Sequence, residues 1–523
     1  MKNNSVRLLD CTLRDGGHLN EGRFGADVIK AVIKKLVDAQ IDIIEVGFLW
    51  DAVYGEDTAR YFSISDVKCV LPTDTGESKF SLMADYIDLE HLEPYDGTIE
   101  YIRLSFKRQR LEWALKTAKI LMDKGYKCFI NPVNCNVYTD EQYLDMLKKV
   151  NELNPYGFSI VDTFGVMRKS DLSRMYYLID NNLNPDITIG LHLHENLGLA
   201  YSLAQHYIEI HNFTRNIVID GSLLGMGRIP GNLCIEQIMD HLNINYGTSY
   251  VLEPALDAID DYIAPIKAQI PWGYSIPYAL SAKYSLHRSY AEYLIDKRRL
   301  KTKDIQRILS KIDKSESEMF NEAYVEELYK KYMNVEINDL ETLQTLKEIW
   351  NEYEEVVIIA PGATIREYQK EIADYVQNGK KCVIGVNYSP DFLQATYVFC
   401  TNLKRMDSID TKRCGKGIIV TSNLLDDVKG YSYVLSYNDL TAFGDLYIDD
   451  STLMLLNLLK RCEVETISVA GFDGFNRKEK NFCTPAFERN HQDSNNQELI
   501  IEILKTYFKE KNIQFLTPSI YSK

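Results

Sequence analysis

From Val6 to about residue 245 the chain alternates short β-branched and aromatic runs with longer stretches whose apolar positions recur at helical spacing. The runs predict strands at Val6–Asp10, Ile41–Gly47, Phe80–Ala84, Tyr101–Leu104, Cys128–Asn131, Phe158–Val161, Ile187–His194 and Ile217–Asp220. Between them, Ala26–Ala39 places Ile29, Val32, Ile33, Leu36 and Val37 on one face, and Leu111–Lys124 and Glu141–Leu153 repeat the pattern. An open doubly wound sheet would show the same alternation, but eight strands in this span favour a closed (β/α)8 barrel.

From Glu253 to about Tyr353 the pattern is helical, as in Ser281–Leu300 and Glu316–Tyr332. A second alternation opens at Val356. Strands are predicted at Val356–Ala360, Cys382–Val386, Tyr397–Cys400, Gly417–Thr421, Tyr433–Leu435 and Thr466–Ala470, with a helix over Ile365–Val376. The expected architecture is therefore α/β. A TIM barrel over 1–285 is followed by a helical extension over 286–352 and a smaller Rossmann-like domain over 353–523.

With 523 residues, more than one core is expected. A net charge of −16 argues against nucleic-acid binding by the surface as a whole. The ten cysteines form no CxxC pair, Met1–Val6 has no apolar signal region, and no run approaches the ~18 apolar residues of a membrane span. A reduced, cytoplasmic protein without membrane association is expected.

Polar residues recur where the barrel strands end: Asp15 and His18 after the first, then Glu45, Arg103, Asn131 with Asn134, Asp162 with Thr163, His192 with His194, and Asp220. Active sites of such barrels lie at that end. His192 and His194 are two apart on a strand and point the same way. Alone, such a pair is as often a satisfied polar core as a ligand pair. Asp15 at the matching end turns it into a set of two imidazoles and one carboxylate, which holds a divalent cation and leaves positions open. Mn2+, Mg2+, Co2+ and Zn2+ are all chemically reasonable. Arg14 suits an oxygen that gains negative charge, and His18, three residues past Asp15 on a Gly-Gly turn, suits acid–base work.

The strings DCTLRDGGH (10–18), HLHENLGLA (192–200) and DGSLLGMGRIPGN (220–232) resemble the DRE-TIM metallolyases, and most closely the 4-hydroxy-2-oxovalerate aldolases, over roughly residues 5–300. The resemblance implies metal ligation by Asp15, His192 and His194, with Asn232 matching a ligand of the related lyases. It also implies enolate stabilisation by Arg14 and a base, His18, acting on the 4-hydroxyl. In GYSIPY (273–278), either Tyr274 or Tyr278 matches a tyrosine that positions the substrate hydroxyl, and each serves equally well as a packing residue. The implied reaction cleaves or forms a 4-hydroxy-2-oxo acid from pyruvate enolate and an aldehyde, with homo-oligomerisation compatible. The alternatives are a Claisen-type acyl-CoA synthase of the isopropylmalate or homocitrate kind, and a non-catalytic scaffold.

This chain departs from the aldolase pattern in places. Glu195 replaces a third histidine, and it either alters the charge near the metal or faces away. Arg228 lies in an altered glycine loop, where it either meets an anionic substrate group or is solvated. The chain also continues into a second domain, which argues against channelling to a dehydrogenase partner. In that domain Gly362, Ala363 and Thr364 form a strand–turn–helix junction that suits either a nucleotide phosphate or pure geometry. VVIIAPGATI, VIGVNYSPDF and YVFCTN loosely resemble Rossmann-like domains of pterin diphosphokinase-like and glycan-modifying proteins. A scaffolding role for this half competes with ligand binding.

Overall fold

The computed structural model describes residues 5–211, 214–406, 408–475, 481–483 and 495–522. Most of the stretch read above for a signal, Met1–Asn4, lies outside the described residues. Two compact units emerge, one of residues 1–292 and 313–320, the other of 293–312 and 321–523.

The first unit is a closed barrel. Its strands are β1 (Val6–Asp10), β2 (Ile43–Leu49), β3 (Lys79–Asp85), β4 (Tyr101–Phe106), β5 (Lys127–Pro132), β6 (Gly157–Asp162), β7 (Thr188–Leu193) and β8 (Ile217–Gly221). Each pairs in parallel with the next, and β1 pairs with both β8 (Val6↔Ile217) and β2 (Leu9↔Ile43), which closes the ring. The amphipathic stretches form the outer layer as α1 (Ala26–Asp38), α2 (Leu111–Asp123), α3 (Asp140–Leu153), α4 (Lys169–Asp180), α5 (Ala200–Ile210) and α6 (Ile235–Tyr246). The five apolar residues of α1 named above are all buried.

β2 runs two residues further than expected and gains a short neighbour, Arg60–Tyr61. Its register against β3 shifts between Glu45 and Phe48. Gly47 lies in that shift, and a Cβ there would fall 2.1 Å from the Ala59 carbonyl oxygen, so only glycine fits.

Side chains inside the barrel repeat every second residue. Leu9, Ile43, Tyr101, Phe129 and Val218 pack into a small apolar cluster. Two residues further along β2, β4, β5 and β8 come Glu45, Arg103, Asn131 and Asp220, each at most 2% exposed. An apolar floor thus carries a polar layer that faces the C-terminal ends of the strands.

The second unit holds a seven-stranded parallel sheet. Its strands are β9 (Glu355–Ile359), β10 (Lys381–Val386), β11 (Ala395–Cys400), β12 (Cys414–Thr421), β13 (Tyr433–Leu435), β14 (Thr466–Ala470) and β15 (Asn512–Phe515). The order is β13-β12-β11-β10-β9-β14-β15, so the winding reverses between β9 and β14. The sequence reading missed β15. It lies at the sheet edge, where its alternately exposed and half-buried residues give a weak apolar signal. No described helix is long and apolar enough to cross a membrane.

Candidate metal centre

After β1 the chain makes one helical turn, Thr12–Asp15, and then a tight turn, Gly16–His18. Asp10 starts it by accepting hydrogen bonds from the Thr12 amide (2.9 Å) and hydroxyl (2.8 Å). The Leu223 amide, just past β8, donates to the same hydroxyl at 2.8 Å. Gly16 and Gly17 form the expected turn without adopting a left-handed backbone. They are small because Met226 and Gly22 approach within 2.9 and 3.3 Å of where a Cβ would stand.

One oxygen or nitrogen from each of Asp15, His192 and His194 lies within 4.8 Å of the other two. His192 ends β7, and its Nδ1 donates to Asp220 at 3.1 Å, which leaves Nε2 as the lone pair. His194 Nδ1 donates to the Asp162 carbonyl oxygen at 2.9 Å, and its Nε2 faces Asp15 Oδ2 at 3.9 Å. Both rings therefore present Nε2. Burial pushes the His194 ring down to about 4, with His192 adding to the shift, so it is neutral at pH 7, as a ligand must be. Burial opposes ionisation of Asp15, but Arg14, His192 and His194 hold its carboxyl well below the usual range.

His194 and Asn232 form an isolated bridge that brings the loop after β8 against the histidines. Asn232 Nδ2 donates to Asp15 Oδ2 at 2.7 Å and to the Met226 carbonyl oxygen at 3.1 Å. Its Oδ1 is buried and has no partner among the described residues, an arrangement that a cation or its water would satisfy. A carboxylate, two imidazoles and an orphaned amide oxygen fit a divalent cation.

A chain of buried ion pairs lies behind Asp15 and His192. Arg14 donates from Nη1 to Asp15 and from Nε to Glu45, each at 2.6 Å. Glu45 also pairs with Arg103 at 3.2 Å, and Arg103 pairs with Asp220, the partner of His192. The layer holds three carboxylates (Asp15, Glu45, Asp220) and two guanidiniums. It is one negative charge out of balance. His18 Nε2 stands 3.9 Å from Asp15 Oδ1, and its ring packs edge-on against Phe48. Burial lowers the His18 pKa to about 3 against the pull of Asp15, with Arg228 and Arg14 adding to the lowering.

Arg14, Asp15, His18, Arg103, His192 and His194 line a cavity of about 460 Å³ with Phe48, Asn131, Asn134 and Thr163. Neither tyrosine of the GYSIPY segment lines it. Tyr274 is 60% exposed, and Tyr278 is buried with its hydroxyl donating to Glu292 at 3.3 Å. Glu195 faces away from the ligands and accepts a hydrogen bond from the Ala200 amide at the start of α5 (3.0 Å). The sequence reading missed Lys107, Arg110, His287, Arg288 and Glu318, which also line the cavity. The last three lie in a helical region whose pattern carries no signal of a site.

In the second unit the turn after β9 meets Asp473, beyond β14. The Thr364 amide donates to Asp473 Oδ2 at 2.8 Å, and its hydroxyl donates to Oδ1. The Gly362 amide donates to the Gly471 carbonyl oxygen at 2.8 Å. Burial raises the Asp473 pKa, while hydrogen bonds from Thr364 and the Ala363 amide oppose the rise. The donors that the sequence offered to a phosphate thus serve a protein carboxylate and a backbone carbonyl.

Residues 102–258 match the HMGL-like family. The chain is 25% identical to a 4-hydroxy-2-oxovalerate aldolase of Pseudoalteromonas translucida over 278 residues, 51% of this chain and 79% of that protein. It is 24% identical over 265 residues to a protein of Methanosarcina acetivorans named "Probable 2-isopropylmalate synthase", covering 48% of this chain and 50% of that one. The crystal structure of an HMG-CoA lyase from Bacillus subtilis superposes with a TM-score of 0.41 at 16% identity, over 52% of this chain and 95% of that one. Over residues 102–258 the barrel of this chain thus matches the HMGL-like family, and its 4-hydroxy-2-oxovalerate aldolase relatives support a place in the DRE-TIM metallolyase superfamily.

Proposed function

We propose that the barrel is a divalent-metal-dependent aldolase that cleaves or forms a 4-hydroxy-2-oxo acid by way of a pyruvate enolate. The observation that carries this reading is the convergence of Asp15, His192 and His194 beside Arg14 and His18 at one end of the barrel. A divalent cation held by those three ligands, Mn2+ as first choice, supplies a Lewis acid for the 2-oxo group.

Arg14 orients the 2-oxo acid. Its Nε and Nη1 are engaged by Glu45 and Asp15, so the guanidinium is fixed, and Nη2 is unclaimed among the described residues. His18, neutral at pH 7, takes the proton of the C4 hydroxyl. As the C4–O bond becomes a carbonyl, the C3–C4 bond breaks and its electron pair passes into the 2-oxo group. The products are an aldehyde and the enolate of pyruvate, whose charge faces Arg14. Protonation at C3 completes the cleavage, and the reverse sequence is aldol addition. Charge supports the assignment. A dication converts the net −1 of the buried layer to +1, which the single negative charge of a 2-oxo acid neutralises.

The free thiols of all ten cysteines support a reducing, cytoplasmic setting. The engagement of Gly362 and Thr364 with Gly471 and Asp473 favours a structural role for that turn over nucleotide binding.

The test is pyruvate release from a panel of 4-hydroxy-2-oxo acids with added Mn2+, together with metal analysis of the wild type and His192→Ala. Turnover that needs metal, and loss of metal in the variant, is the expected result. Consumption of acetyl-CoA without pyruvate release would move the protein to the synthases. Full metal content in His192→Ala would overturn the ligand assignment.

A further inference from the structure

The outer part of the cavity is strongly cationic, although the chain as a whole carries −16. Lys107, Arg110, Arg228 and Arg288 line it, while Asp85 and Glu318 are the carboxylates there besides Asp15. Two of the cations are partly engaged. Arg110 donates to the Tyr86 hydroxyl at 2.6 Å, and Arg288 pairs with Glu292 at 2.6 Å but keeps a buried Nε without a partner among the described residues. Arg228 and Lys107 have no carboxylate within ion-pair distance among the described residues. The nearest polar contact of Arg228 is His18, whose Nδ1 lies 3.4 Å from Nη2.

Unpaired cations gathered in a partly enclosed cavity repel one another, and an anion that enters relieves the repulsion. The Arg228 guanidinium shows that strain, since burial, Arg288 and Arg14 all disfavour its charge, and Asp15 and Asp85 only partly offset them. The carboxylate of a 2-oxo acid cannot be that anion, because in the proposed reaction it lies at Arg14 and the metal ligands. A second anionic group must belong to the aldehyde half of the substrate. The geometry also sets its length. His18 acts at C4, and Arg228 touches the other nitrogen of that ring, so the group lies only a few bonds beyond C4.

We propose that the aldehyde partner is a short one bearing a terminal anion, a phosphate or a carboxylate, recognised by Arg228 and Lys107 with Arg288. This rests on the aldolase reading above. These residues are specificity determinants: they bind the part of the substrate that does not react. Four cations against Asp85, Glu318 and the Glu292 partner of Arg288 leave a net positive charge that either a phosphate or a carboxylate satisfies, and the measurement separates them.

The experiment is aldol addition by the full-length, Mn2+-loaded protein with pyruvate and one of four aldehydes: glyceraldehyde 3-phosphate, glyoxylate, glyceraldehyde or propionaldehyde. Binding of unreactive phosphoglycolate is followed in parallel by calorimetry. A charged aldehyde is expected to exceed the neutral ones in kcat/KM by roughly 100-fold, and the ratio is expected to fall about 10-fold in Arg228→Gln and in Lys107→Gln, mainly through KM. Preference for glyceraldehyde 3-phosphate identifies a phosphate, and preference for glyoxylate a carboxylate. Equal use of charged and neutral aldehydes, or a ratio unchanged in both variants, overturns the proposal and leaves the aldolase standing. If no aldehyde reacts but phosphoglycolate binds and is weakened in both variants, the anion site stands and the aldolase reading falls. If no aldehyde reacts and phosphoglycolate does not bind, both fall.

Discussion

Asp220→Asn isolates what the buried ion-pair chain contributes to the metal. Asp220 Oδ2 accepts from His192 Nδ1 at 3.1 Å and from Arg103, whereas Oδ1 is buried without a partner among the described residues. An asparagine with its oxygen in the Oδ2 place keeps both hydrogen bonds and loses only the charge. That charge makes His192 a stronger donor to a cation, while the retained hydrogen bond still fixes which nitrogen faces it. Loss of such an outer partner weakens metal binding about 10- to 100-fold, or ~1.4–2.7 kcal/mol. Burial opposes the ionised state of Asp220, but Arg103 and His192 hold its carboxyl below the usual range, so the charge is present at pH 7. Arg103 still has Glu45 at 3.2 Å, so the cost in stability is ~1–3 kcal/mol, below that of an orphaned buried charge. Titration calorimetry with Mn2+ on metal-free protein measures the affinity, and a thermal melt confirms folding. If the folded variant binds Mn2+ as tightly as the wild type, Asp220 does not tune His192 and the outer-shell argument fails.

Other perturbations test neighbouring parts. Arg14→Lys keeps a positive charge but cannot reach Glu45, Asp15 and the substrate together. Steady-state pyruvate release should fall roughly 100- to 1000-fold in kcat, with Mn2+ affinity within about tenfold of wild type. Gly227→Ala places a Cβ 2.4 Å from Asn232 Nδ2 and 2.7 Å from Asp15 Oδ2, so the ligands must shift. Calorimetry should show at least about a tenfold loss of Mn2+ affinity, while stability falls by ~1–3 kcal/mol and the circular dichroism spectrum is kept. Asp10 is raised from 3.8 to about 7 by burial, against the hydrogen bonds from Thr12. Between about pH 4 and pH 7 the folded state holds a proton that the unfolded state has lost, so stability falls as pH rises, by up to ~1.4 kcal/mol per pH unit. Urea unfolding at pH 5 and pH 7 should show that slope reduced in Asp10→Asn; an unchanged slope would assign it to other groups.

Most of the barrel was legible because its strands are buried on both faces. Stretches such as Ile217–Asp220 and Phe158–Val161 are apolar runs whose ends fall within a residue or two of the strands they became. Segments whose structure depends on distant neighbours were not legible. Arg60–Tyr61 is a strand because it pairs with Phe48 and Leu49 beyond the register shift at Gly47. Asp313–Phe320 belongs to the barrel unit although the flanking helical residues do not, and its local pattern matches theirs. Apolar spacing reports that a face is buried, not which unit buries it.

The site divides along the same line. The convergence of Asp15, His192 and His194 was legible because strand period and barrel closure together bring them to one place, and both follow from the order of residues. The outer layer needs more. Glu45, Arg103 and Asp220 were visible as charges at strand ends, but their pairing follows from which strands become neighbours and which residues share a level in the barrel. The signal was present in a weaker form: Ile43 then Glu45, Tyr101 then Arg103, and Val218 then Asp220, an apolar interior position followed two residues later by a charge. A charge inside a barrel needs a partner of opposite sign from another strand at the same height. Taken around the ring, these charges leave one carboxylate in excess. A buried layer with an unmatched negative charge, two imidazoles and an orphaned amide oxygen is incomplete as protein alone, and a divalent cation fits it.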